Sequence, residues 1–150
     1  FSVIVMAVTG LLVGWRIRGS LFDAALAFAL LLLFAYSISW VMAYIALIIP
    51  SVEVINNATF VVIFPLTFVA NTFVPVEDLP GPLQTFAEWN PVSTVTQAAR
   101  ELFGNIPAGA PEPQAWPLRH SELYTLIWSV ATVAVFATLA VRRYQKATKN

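Results

Sequence analysis

Glu77 and Asp78 stand side by side, and paired carboxylates are the usual equipment for general acid–base chemistry. Their setting argues against it. They follow an apolar run that stops at Pro75 and precede a helix start, where acids are ordinary solvated groups. The single histidine, His120, has Glu122 as its only nearby carboxylate, so it reads as a polar residue at an interface. Cysteine is absent, which excludes thiolate metal sites, disulfides and cysteine catalysis. No GxxxxGK[ST] loop is present to cradle a nucleotide. Catalytic residues and metal ligands are therefore assigned to none of the side chains. Asp23 is a charge near the start of a long apolar stretch, where it can reach the headgroups and favour a helix N-terminus. A different kind of chemistry suits Tyr36, Trp40 and Tyr44, which are four apart and share one helix face. With Thr67 and Asn71 they could line a path for an amphipathic molecule: aromatic walls with a few polar handles. The same residue types also serve plain helix–helix packing.

The elements that must position these residues follow from composition. The chain has 150 residues, of which 59% are hydrophobic and 11% charged. A soluble domain carries about 25% charged residues. With a mean hydropathy of +0.76, lipid must solvate much of this surface. Eight basic and eight acidic residues balance, which gives no support for nucleic acid as a partner. Apolar segments near 1–15, 21–49, 58–74 and 121–141 read as an all-α integral membrane protein with four transmembrane helices. The first is short of the roughly 20 residues of a full crossing. It is therefore expected to be truncated, and the chain to be the C-terminal part of a longer protein. The second is expected to be one long tilted span closed by Pro50, not a hairpin. Pro65 is expected to kink the third. Gly10 and Gly14 form a GxxxG pair that would let another helix approach closely.

Between the last two spans lies an elbow, 75–120. Pro80-Gly81-Pro82 should open a short helix with Leu83, Phe86 and Trp89 on one apolar face. Thr94 with Gln97 has the capping-box form and should open a second. Ser121 is the expected N-cap of the last span. Arg142, Arg143, Lys146 and Lys149 follow that span at once, which favours a cytoplasmic C-terminus, with 142–150 as a tail. The elbow and the Trp15–Arg18 turn then lie outside, with Trp15, Trp89, Trp116 and Tyr124 as an aromatic belt.

The elbow also carries a phrase. A span ends in Asn71-Thr72-Phe73-Val74-Pro75; Leu79-Pro80, Asn90-Pro91-Val92 and Ala98-Ala99-Arg100 follow, then Gly104. This resembles the permease subunits of type-2 ABC exporters, especially the bacterial daunorubicin-resistance branch. The matching positions include Phe73, Pro75, Pro80, Asn90, Pro91 and Arg100. Two departures stand out: Asn71-Thr72 replaces the family's Ser-Gly, and the short inner loop at 49–53 lacks its basic residue. The resemblance implies a transport subunit and not an enzyme, in a bacterial plasma membrane, exporting amphipathic drugs or lipids. It also implies a second permease subunit and a cytoplasmic ABC ATPase, with ATP and magnesium held by that ATPase and no cofactor in this chain. Composition alone equally allows a non-transporting integral-membrane assembly or anchoring protein.

Overall fold

The computed structural model describes residues 2–49, 51–70, 76, 79–106 and 109–147. Among them the fold is all-helical. The helices are α1 (Ser2–Val13), α2 (Leu21–Ala46), α3 (Val52–Phe68), α4 (Gly81–Trp89), α5 (Pro91–Leu102), α6 (Trp116–Arg119) and α7 (Ser121–Ala147). Among the described residues, α2 and α7 are the two helices both long and apolar enough to cross a membrane.

Local chemistry fixes most helix ends. α2 opens on a capping box: the Ser20 hydroxyl accepts from the Asp23 amide at 3.1 Å, and Asp23 Oδ2 accepts from the Ser20 amide at 3.1 Å. Asp23 is thus a helix cap. α2 then runs without a break to Ala46, one helix and not a hairpin, three residues short of the expected end. α1 stops where Gly14 takes φ +103°: the Trp15 amide reaches back to the Gly10 carbonyl at 2.9 Å and the Gly14 amide to Leu11 at 3.3 Å. These two bonds make a Schellman termination. α5 ends the same way, with Gly104 at φ +68°, Asn105 N–H on the Arg100 carbonyl and Gly104 N–H on that of Glu101.

Several expected boundaries shift. α3 begins at Val52, six residues before the expected start, so the polar stretch holding Glu53, Asn56 and Asn57 is helical. Glu53 sits in its first turn, where the helix dipole favours an acid. α3 closes at Phe68, with Pro65 in its last turn and the Val69 amide on the Pro65 carbonyl at 2.9 Å. Pro65 therefore sits near the helix end, where little helix remains beyond it to be bent. α5 is opened by Asn90, one turn before the expected Thr94, with Pro91 as its first residue. α4 starts at Gly81, one residue early, with Pro80 ahead of it. Ser121 lies inside α7, and the first α7 bond is accepted by the His120 carbonyl, from Tyr124 N–H at 2.9 Å. α7 also carries Arg142, Arg143 and Lys146 within the helix, so the expected tail is helical as far as Ala147.

α2 and α7 run in the same direction. Phe34 packs on Trp128 and, further along both helices, Tyr44 packs on Phe136, with ring centroids 5.3 and 5.8 Å apart. The chain therefore has to return between them, and α3 makes that return. One core forms where α2 and α5 meet, from Ala24, Ala27, Leu30, Ala98, Leu102 and Phe103. A smaller one, Val76, Ala87 and Leu118, lies within the elbow.

Candidate functional site

α5 is lodged against α2 on one side and α7 on the other. Its sequence explains why it can be buried there. Ser93, Thr94, Val95, Gln97, Ala98 and Leu102 are all buried, and most are small. Between apolar helices in lipid there is no hydrophobic drive, so small residues and matched hydrogen bonds must hold the contact. α7 answers with Ser121, Thr125 and Ser129, buried at intervals of four and so on one stripe. α2 contributes Ala24, Ala27 and Ser37.

Each end and one side of α5 are pinned by named atoms. At the N-terminal end Asn90, 2% exposed, uses both halves of its amide. Oδ1 accepts from the Val92 amide at 2.9 Å, capping α5, while Nδ2 donates to the Leu66 carbonyl of α3 at 2.7 Å. One side chain thus satisfies an orphan donor of α5 and an orphan acceptor of α3. At the other end the Phe103 carbonyl accepts from both Arg18 and Gly19 amides, at 2.9 and 3.2 Å. The approach is so close that a Cβ on Gly19 would collide with the Leu102 carbonyl oxygen. The Phe103 ring completes the clamp, edge-on to Trp15 at 5.1 Å and to Phe28 at 5.3 Å. Along α7, Thr125 donates weakly to Thr94 at 3.5 Å. A turn earlier, the Glu101 carboxylate accepts from the Ser121 hydroxyl at 2.6 Å and from Gln97 Nε2 at 2.8 Å. That places an acid at the start of α7, where the helix dipole favours it.

Thr94 pairs with Thr125, and Glu101 with Ser121, so α5 runs against the direction of α7 and its N-terminal end sits a turn further along α7. The outer edge of this assembly is aromatic. Trp89 and Trp116 both stand edge-on to Tyr124, at 6.4 and 6.2 Å, and the Tyr124 hydroxyl donates to the Trp89 carbonyl at 3.0 Å. Trp15 belongs to the Phe103 clamp, away from this group.

The residues singled out from sequence divide unevenly. Tyr36 and Trp40 touch each other edge-on at 6.2 Å, with Tyr36 exposed and the Trp40 Nε1 buried without a partner. Tyr44 leans on α7 through Phe136. Thr67 is half-buried in the last turn of α3, and among the described residues no hydrogen bond or ring contact joins it to the aromatic row. Asn71, Phe73 and Pro75 lie outside the described residues. Pro80 precedes α4, Asn90 and Pro91 open α5, and Arg100 is half-buried in its last turn. Gly10 and Gly14 terminate α1: Gly14 has nothing within 4 Å of a would-be Cβ, and Gly10 faces its own Trp15. The close backbone approach expected of that pair occurs at Gly19 instead. Gly19, Phe103, Glu101 and the α7 stripe were not singled out from sequence. The stripe had a legible signal in the four-residue spacing of Ser121, Thr125 and Ser129.

The two long apolar helices, with short amphipathic helices between them, describe a membrane protein. The chain belongs to the ABC-2 type transporter family, whose pattern matches residues 1–103. It is similar to the daunorubicin resistance ABC transporter permease protein DrrB1 of Streptomyces coeruleorubidus, 33% identical over 136 residues. That alignment takes in 91% of this chain and 44% of the relative, so the chain spans less than half of that protein's length. No solved structure matches it.

Proposed function

We propose that the chain is the C-terminal part of the permease subunit of an ATP-driven exporter that moves amphipathic drugs or lipids out of a bacterial cell. Membership of the ABC-2 family is the observation that carries this reading. The name of the DrrB1 relative supports an anthracycline-like substrate class. ATP hydrolysis belongs to a cytoplasmic partner, and a second permease subunit completes the path. With α2 and α7 as full crossings, the shorter α1 and α3 mark two further spans, the first of them cut short, in alternating directions. The parallel course of α2 and α7, with the Asn90 bond holding the end of α3 near the elbow, supports that alternation. The elbow and the α1–α2 link lie outside, and the basic end of α7 faces the cytosol.

The test is efflux. The full-length permease with its ATPase should lower the steady-state accumulation of a fluorescent anthracycline in a susceptible host. Removing the ATPase phosphate-loop lysine should abolish the effect. Equal accumulation with and without a well-inserted complex would leave only the assembly or anchoring reading. Topology has its own check in a full-length permease whose cysteines outside this stretch are replaced, since residues 1–150 contain none. Glu112→Cys should react with an impermeant maleimide on intact cells, and Gln145→Cys only after permeabilisation.

A further inference from the structure

α7 does not stop where its apolar stretch stops. From Tyr124, set among the elbow aromatics, to Val141 is about 26 Å of helix, close to the roughly 30 Å of a hydrocarbon core. The helix then continues through Arg142, Arg143, Tyr144, Gln145 and Lys146, all exposed. These residues rise about 2 to 8 Å beyond Val141, the depth of lipid phosphates. Helical geometry sets the three cations within about 100° of one another, on one side of α7. Tyr44 meets Phe136 only two residues before α2 ends at Ala46, so α7 outruns α2 by about two turns and this side is left uncovered. Tyr144, 61% exposed, stands in the same turn, as an interfacial aromatic does.

We propose that this turn is a binding site for the phosphate groups of anionic phospholipids in the leaflet at the C-terminal end of α7. The inference rests on α7 being a membrane span, as read above. Depth chooses the occupant: the helix carries the cations at the headgroup level, where lipid phosphates already are and where a soluble acidic protein would have to displace them. The helix adds selectivity by fixing the three attachment points on one face, so that all three charges can reach the same headgroup layer.

The experiment uses the complete permease with its ATPase in nanodiscs, probed with spin-labelled phosphatidylglycerol and phosphatidylcholine. The wild type should hold phosphatidylglycerol in the motionally restricted shell with about tenfold preference, falling with salt. The triple variant Arg142→Gln, Arg143→Gln, Lys146→Gln should lose most of that preference. The charge-keeping variant Arg142→Lys, Arg143→Lys, Lys146→Arg should retain it, which separates charge from folding. No preference in the wild type would overturn the proposal, as would an undiminished preference in the triple glutamine variant. Loss of ATPase co-purification with lipid preference intact would instead assign the turn to an acidic protein surface, and would also overturn it. The underlying span is checked apart: Val135→Cys should resist aqueous maleimide, and its ready labelling would sink the membrane reading of α7 itself.

Discussion

The helices of this chain fall into two groups that behave differently. α2, α5 and α7 interlock along their lengths, through small buried side chains and hydrogen bonds between elements. α1 and α3 are attached near their ends. α1 is held through the clamp of Trp15, Arg18 and Gly19 on Phe103, and α3 through Leu66 on Asn90. Their outward faces are apolar and open: Met6 and Leu12 on α1, and on α3 the stacked ladder of Phe60, Phe64 and Phe68, with centroids 5.3 and 5.7 Å apart. The difference teaches that one short helix does two jobs. α5 fills the gap between two parallel spans, and its ends are also the attachment points for the looser arms. The proposed transport role calls for such a division: a body that keeps its packing, and arms whose surfaces are free to meet lipid or another subunit.

Breaking the body should cost far more than altering the arms. Gly19→Val puts a branched side chain against the Leu102 carbonyl, which is backbone and cannot yield. We expect at least about 3 kcal/mol of destabilisation, seen as a collapse of the folded fraction in detergent. Asn90→Ala strands both the Val92 amide and the Leu66 carbonyl, at about 2 kcal/mol in unfolding midpoints. Asn90→Ser restores the cap without reaching α3, so it should recover about half of that loss. Ser121→Ala removes one of the two bonds to Glu101 and should cost about 1 kcal/mol. Phe64→Leu on the open ladder should stay within about 0.5 kcal/mol, since an exposed aromatic loses little. An arm substitution as damaging as Asn90→Ala would erase the distinction.

Much of this was legible in the residues. Hydropathy placed the long helices, because a run such as Leu21–Ala46 has no other solvent than lipid or protein interior. Pro80-Gly81-Pro82 marked the opening of α4 to within one residue. The start of α3 lies outside its apolar run: Glu53, Asn56 and Asn57 are helical because nothing in them forbids a helix, and Glu53 suits a first turn. The Thr94–Gln97 spacing had the form of a cap, yet Asn90 with Pro91 won one turn earlier, since proline at the first helical position is preorganised. Gly10 and Gly14 show the limit of spacing alone: a GxxxG pair and a helix terminus can carry the same letters, and the left-handed turn at Gly14 decides it. The Gly19 contact was invisible for another reason. It joins residues more than eighty apart, and only the docked fold tells which glycine faces a carbonyl.

The placement of α5 between its neighbours is tested most directly by a cysteine pair at Thr94 and Thr125, whose hydroxyl oxygens are 3.5 Å apart in a chain without native thiols. In native membranes, mild oxidation should join Thr94→Cys to Thr125→Cys almost completely within one chain, because the two side chains already meet. Failure to cross-link in a stably inserted protein, with both thiols still free to alkylate after solubilisation, would mean that α5 does not lie on α7.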